Sequence, residues 1–289
     1  MPPIEFIAYP PTGFPFRDLL VLEQLRLGRE RRVCAIGVGS GGTAARLARL
    51  CGRVTGFDAS RPALEALDYL EARHANLRLV PADITDAAAV GPHRAHFDCA
   101  VSCDALEHVA DPAGFFRGTF ALLTPGGELA VTFPNEPRNT MHGITRFESP
   151  DELRAYVRAA GFEEIRIGAA RLTPHADAVA RRFGWKPLAA ARELVAIGRG
   201  LVNRVRGTAQ PPADWELPPQ VFDETPLYRD RALWRRLSPA VNLYWTWVLR
   251  RMTARGPSFG IDWGFRFTPF SRCRVFLTAR KPAGLAAVA

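Results

Sequence analysis

Lysine is nearly missing from this 289-residue chain: Lys186 and Lys281 are the only two, and the other 36 basic residues are arginine. Cysteine is sparse as well. Cys34, Cys51, Cys99, Cys103 and Cys273 are odd in number, scattered and free of any C-x-x-C pair, which excludes a disulfide framework and a structural zinc knuckle. No apolar run approaches the roughly 20 residues a membrane-crossing helix needs; Val241 to Leu249 is the most apolar late segment and is far shorter. Met1 to Phe16 has no basic start and is broken by Pro10, Pro11 and Pro15, so it does not read as an export signal, and a reducing cytoplasm is the expected setting. Repeats and low-complexity tracts are absent too. What is present, 47% hydrophobic and 23% charged residues, is the composition of a folded globular chain.

The charge is unevenly placed. Residues 1–165 carry a net −4, and residues 166–289 a net +13. Arginine suits bidentate contacts to phosphate or carboxylate and stacking on aromatic rings, so the C-terminal part is a candidate surface for an anionic partner.

Short apolar runs alternate with helical spacing over the first 165 residues. Strands are expected at Arg32–Gly37, Arg53–Phe57, Leu77–Val80, Phe97–Ser102 and Glu128–Phe133, with helices at Thr43–Leu50, Pro62–Arg73, Ile84–Val90 and Pro112–Leu123. This alternation implies right-handed parallel crossovers and an open α/β sheet covered on both faces. Ser149-Pro150-Asp151-Glu152 opens a further helix with an N-cap serine and a first-turn proline, and Gly161 closes it.

The turn after the first strand is Gly37-Val38-Gly39-Ser40-Gly41-Gly42. It lets a ligand approach the backbone closely and aims amide N–H groups at it. Gly37, Gly39 and Gly42 fit the dinucleotide pattern G-x-G-x-x-G, while Gly37, Gly39 and Gly41 fit G-x-G-x-G, so the turn by itself leaves two cofactors open. Asp58, at the end of the second strand, is placed for ribose hydroxyls in either case.

Later residues separate the two. Pro81-Ala82-Asp83-Ile84 ends the third strand, and Cys103-Asp104-Ala105-Leu106-Glu107-His108-Val109 runs off the fourth. Leu123-Thr124-Pro125-Gly126-Gly127 precedes the fifth, and Phe147-Glu148-Ser149-Pro150 and Ala160-Gly161-Phe162 follow. This ordered set resembles the class I S-adenosylmethionine-dependent methyltransferases, in particular the branch of ubiquinone-biosynthesis O-methyltransferases. The resemblance implies a Rossmann-like, mostly parallel seven-stranded sheet with helices on both faces and an antiparallel last strand. It implies that Gly37, Gly39 and Gly41 line the methionine and ribose of the cofactor, that Asp58 and Ala59 hold the ribose, that Asp83 and Ile84 hold the adenine, and that Ser102 approaches the methionine. S-adenosylmethionine would be the cofactor and S-adenosylhomocysteine the product. One position departs from the family: the usual acidic residue two places before the first glycine is Ala35 here, which implies weaker or rearranged binding of the methionine amine.

A sulfonium methyl is already activated, so transfer to oxygen asks for alignment and for a group that removes the acceptor proton. His108 and His142 are the candidates, because histidine titrates near neutrality and each follows a strand end. His74, His93, His96 and His175 fall in loops or on solvent faces. Some members of the branch hold a divalent ion on a Glu-x-x-Glu-His motif and a later histidine; the matching places are Asp104, Glu107, His108 and His142. Metal is the lesser reading, since Asp104 is one methylene short.

Phe162–Arg171 and Arg272–Arg280 are expected to be the adjacent antiparallel pair that ends the family's sheet. The chain then divides into an N-terminal segment and helix (1–30), a methyltransferase core (31–171), an insertion (172–270), and a last strand with its tail (271–289). The insertion far exceeds the usual connection of about 4 to 6 residues. It shows helical patterns at Pro187–Val205 and Arg229–Met252 and holds all six tryptophans, and it reads as a mainly helical lid. The expected activity is O-methylation of a small-molecule or lipid-linked acceptor beneath that lid, with peripheral membrane contact through the basic C-terminal region. An NAD(P)-dependent oxidoreductase, an RNA methyltransferase and a non-catalytic cofactor-binding protein are the rivals. Nucleic acid ranks lower because no RNA-binding module is recognisable, and no oligomeric state is legible.

Overall fold

The computed structural model describes residues 17–39, 41–65, 67–135, 145–185, 243–244, 247–268 and 273–284. The N-terminal helix α1 (Arg17–Gln24) leads into β1 (Arg32–Ile36), α2 (Gly42–Leu50), β2 (Arg53–Asp58), α3 (Arg61–Glu65), α4 (Asp68–Arg73), β3 (Leu77–Pro81) and α5 (Ala87–Val90). The chain continues through β4 (Phe97–Cys103), α6 (Pro112–Leu122), β5 (Leu123–Asn135), α7 (Pro150–Ala159), β6 (Glu163–Leu172) and α8 (Pro174–Val179), then β7 (Phe259–Asp262) and β8 (Cys273–Arg280).

The sheet order is β3-β2-β1-β4-β5-β8-β6-β7. Strands β1 to β5 pair in parallel, and β8 lies antiparallel between β5 and β6. The expected Rossmann-like α/β fold and its antiparallel final pair are therefore present. The count of seven strands is corrected to eight, because β7 joins the free edge of β6 with the register Ala169 to Asp262 through Leu172 to Phe259. A strand edge offers unpaired N–H and C=O groups, and part of the segment expected to be mainly helical satisfies them.

Two helices are shorter than their periodicity suggested. The Pro62–Arg73 pattern splits into α3 and α4 at Leu67, whose φ of −109° and ψ of 8° leave helical geometry. The Ile84–Val90 pattern starts only at Ala87, because the Asp86 side chain accepts from the Ala88 N–H and caps the helix there. Helix α7 follows its sequence signals: Ser149 Oγ accepts from the Glu152 N–H at 3.2 Å, and Gly161 follows with φ 99°.

Two apolar layers flank the sheet. One joins α1, α2 and α4 to Val248, Leu249, Met252 and Phe259 of the insertion; the other joins Ile84, Phe115, Phe116 and Leu122 to Phe133, Phe147, Val157 and Leu277. At the base, Arg32 ties β1 to β4: its backbone N–H and Nε donate to Asp98 Oδ2 at 2.9 and 3.2 Å, and its Nη2 to Oδ1 at 2.8 Å. Lys281, just past β8, donates from Nζ to the Phe120 and Leu123 carbonyls at 2.9 and 2.7 Å, a cation capping the C-terminal end of α6.

Candidate functional site

The strand order reverses between β1 and β4, and in open α/β sheets that reversal opens a crevice at the carboxyl ends. The glycine turn sits there. Gly37 has φ 74°, and a Cβ on it would lie 2.2 Å from the Ala105 Cβ; Gly39 has φ 52°, and a Cβ on it would have no neighbour within 4 Å. The two glycines thus serve different ends: Gly37 admits the segment that follows β4, and Gly39 presents bare backbone to open space. Gly41 N-caps α2.

Asp58 ends β2 and holds this turn. Its Oδ2 accepts from the Gly39 N–H at 3.0 Å and its Oδ1 from the Ser60 N–H at 2.9 Å. A carboxylate offers about four acceptor positions, so these bonds orient it while leaving capacity for a vicinal diol. Ala59, beside it, is exposed. Asp83 is exposed at the end of β3, with Oδ1 accepting from both the N–H and the hydroxyl of Thr85, at 2.9 and 2.8 Å. Ile84 turns inward and joins the apolar layer that contains Val90 and Phe115. Ser102 is fully buried, on the same side of β4 as Ala100, and among the described residues its Oγ has no hydrogen-bond partner. Ala35 is buried in the opposite layer with Val33 and Val101.

Beyond β4 the geometry departs from the metal reading. Asp104 takes the left-handed conformation, φ 54°, and Leu106–His108 forms a 3-10 turn, so Asp104, Glu107 and His108 do not share one α-helical face. Asp104 is instead bound by the Arg274 guanidinium at the start of β8 through both carboxylate oxygens. An arginine already neutralises the carboxylate a metal would need, and among the described residues no group of three His, Cys, Asp or Glu side chains is placed to hold an ion.

His108 is exposed at the rim, with Nε2 3.9 Å from the buried Glu107 carboxylate. His142 lies outside the described residues, but both ends of its loop are pinned here. Asn135 and Phe147 exchange two hydrogen bonds of 3.2 Å, and the Thr145 N–H donates to the Glu107 carbonyl at 2.9 Å. Thr145, just after the segment 136–144, therefore lies beside Glu107-His108, and Asn135, just before it, is held to Phe147.

Of the insertion, the described parts build the far edge and one face of the sheet: β7 pairs with β6, Trp263 packs near Phe276, and the Arg166 guanidinium lies 3.9 Å from the Trp263 ring. The predicted helix Pro187–Val205 and the first half of Arg229–Met252 lie outside the described residues, as do Trp215, Trp234 and Trp245. Sequence reasoning missed Arg274; its only signal was an arginine opening the last strand.

The fold and site define a nucleotide-cofactor enzyme built on an open α/β sheet. A methyltransferase-domain family model matches residues 34–131. The ubiquinone biosynthesis O-methyltransferase of Albidiferax ferrireducens is 31% identical over 173 residues, covering 50% of this chain and 68% of that enzyme; that of Ralstonia nicotianae is 28% identical over 163 residues, also covering 50% and 68%. Among solved structures, the [4+2]-cyclase SpnF superposes with a TM-score of 0.53 at 20% identity, covering 98% of this chain and 88% of that one. Phosphoethanolamine N-methyltransferase 2 of Haemonchus contortus, bound to S-adenosylhomocysteine, gives 0.51 at 16% identity, covering 92% and 52%. The structural likenesses speak to the fold alone. The chain belongs to the class I S-adenosylmethionine-dependent methyltransferases. The open space above Gly39 and the carboxylate of Asp58 fit that cofactor.

Proposed function

We propose that the protein methylates an oxygen of a small-molecule or lipid-linked acceptor held beneath segment 172–270, with His108 and His142 in proton removal. The observation that supports this reading is that the residues on either side of 136–144, the segment that carries His142, are held at this end of the sheet: Asn135 bonds to Phe147, and the Thr145 N–H to the Glu107 carbonyl, next to His108. The relatives' printed names give oxygen as the methylated atom and ubiquinone biosynthesis as the setting.

S-adenosylmethionine, when bound, supplies a methyl group on a sulfonium. The chain's own residues do the rest. Gly39 presents bare backbone to the methionine and ribose while Gly37 and Gly41 shape the turn around it, Asp58 and Ala59 take the ribose, and Asp83 with Ile84 the adenine, with Ser102 closing the crevice floor. The buried Glu107 carboxylate, 3.9 Å from His108 Nε2, would orient the imidazole that accepts a proton from an acceptor hydroxyl.

His108→Ala and His142→Ala, assayed from pH 5 to 9 on phenols with and without a polyprenyl tail, test the reading. The expected result is a turnover loss of about 100-fold or more in at least one variant, with S-adenosylhomocysteine affinity retained. Unchanged turnover in both folded variants overturns the proton-transfer role, and methylation of matched amines but not phenols overturns the choice of oxygen.

A further inference from the structure

The large hydrophobic side chains exposed among the described residues are Leu243, Tyr244 and Trp247, at 73%, 37% and 41%. They fall within five positions of one another, on a face that the core does not use. The other side of the same segment, Val248, Leu249 and Met252, is buried in the sheet's apolar layer.

Exposed arginines lie on both segments that build this patch. Arg181 and Arg182, on the π-helical turn Ala180–Trp185 that follows α8, and Arg250, Arg251 and Arg255 are all exposed. Asp177, the one acidic residue in the two segments 173–185 and 247–258, is bonded to Arg181 Nε at 2.7 Å. The rings are fixed in place. Phe183 and Trp247 pack edge to face at 5.0 Å, the Tyr244 hydroxyl donates to the Phe183 carbonyl, and the Arg251 guanidinium lies 4.5 Å from the Trp247 ring and 5.6 Å from that of Phe183. His175 Nε2 meets the Arg251 carbonyl at 2.8 Å and ties α8 to the helical turn at 247–252.

We propose that this face docks on the surface of an anionic lipid bilayer. Aliphatic and indole side chains gain by entering the boundary between headgroups and acyl chains, and tryptophan and tyrosine favour that boundary because one end is apolar and the other polar. The arginines around them are attracted to anionic headgroups. Because the anchor side chains are already packed in place, little ordering opposes docking. Charge complementarity selects this occupant over the others. A second copy of the chain would bring two arginine clusters face to face with a single, already bonded aspartate on each. A nucleic acid would find the Trp247 and Phe183 rings partly covered by Arg251, and Leu243 gives a phosphate or a base nothing to bind. Docking is read from vesicle binding, a measurement that does not depend on catalysis.

Sedimentation of the full chain with phosphatidylcholine vesicles, with and without phosphatidylglycerol, tests the proposal. Binding is expected only to the anionic vesicles and is expected to weaken as salt rises. The double variants Leu243→Ser/Trp247→Ser and Arg250→Glu/Arg255→Glu should each weaken it by about tenfold or more, the arginine variant with melting temperature and S-adenosylhomocysteine affinity unchanged. Because the arginine pair is exposed and outside the core, that variant tests the surface even if the first one fails to fold. Absence of binding to anionic vesicles, vesicle binding unaltered by the arginine variant, tighter binding to an RNA oligonucleotide, or self-association that the arginine variant does not weaken would each overturn the proposal.

Discussion

Asp58 Oδ2 accepts a hydrogen bond from the Gly39 N–H at 3.0 Å, so the carboxylate read from sequence as a ribose ligand is also the group that shapes the glycine turn. If Asp58 holds the ribose, one residue at the end of β2 couples cofactor recognition to the conformation of the loop after β1. Asp58→Ala removes both roles. S-adenosylhomocysteine affinity, measured by calorimetry, is expected to fall by about 10- to 100-fold, the value of one or two charge-assisted hydrogen bonds. Equal affinity in the variant refutes the assignment of Asp58 to the ribose.

Gly37 and Gly39 predict opposite phenotypes for the same substitution. Gly37→Ala adds a left-handed penalty of roughly 1–2 kcal/mol to a contact of 2.2 Å with Ala105, so the folded state should lose several kcal/mol in urea denaturation. Gly39→Ala carries only the conformational penalty, because nothing lies within 4 Å. It should stay folded and bind cofactor poorly, since the added methyl enters the crevice.

Asn135 and Phe147, on either side of the segment that carries His142, share two buried hydrogen bonds. Asn135→Ala leaves both Phe147 backbone groups without these partners, at a cost of about 2–3 kcal/mol, readable as a lowered melting temperature. At a temperature where the variant is folded, methyl transfer should drop further than cofactor affinity does. A parallel loss of both would show that the anchoring supports the whole crevice rather than the loop.

The Arg32–Asp98 pair gives an acid-dependent stability. The Arg32 guanidinium holds the Asp98 carboxyl below its ordinary value. A depressed carboxyl stabilises the fold above the unfolded-state value, near 3.9, and that contribution disappears as pH falls through the lower folded-state value. The Arg32 side chain is 39% exposed, which limits the pair to about 1 kcal/mol. Asp98→Asn should therefore be less stable than wild type at pH 7 by about that amount, with the gap closing toward pH 3 in urea titrations. A gap that widens in acid would reverse the sign of the argument.

The parts of the fold legible in the sequence are those whose partners are near in the chain. Strands β1 to β4 are short runs of apolar residues followed by glycines or acids, and α7 announces its start with Ser149-Pro150 because an N-cap bonds only three residues ahead. The ordered motifs along β1 to β5 were enough to place the glycine turn, Asp58 and Asp83 at carboxyl ends of parallel strands. Strand β7 was not legible: Phe259-Gly260-Ile261-Asp262 is short and has a glycine inside it, and it is a strand because β6 offers it an edge.

The same distinction runs through the site. Residue spacing allowed Asp104, Glu107 and His108 a common helical face, yet Arg274, 170 residues away, claims Asp104 and a 3-10 turn carries the other two. Local chemistry, namely glycine after a strand, a carboxylate at a strand end and a serine before a helix, acts within a few residues and so belongs to the sequence itself. Which arginine meets which carboxylate, which edge is covered, and where Leu243, Tyr244 and Trp247 face were decided by tertiary packing, because the energies that set them arise between segments that the chain order alone does not bring together.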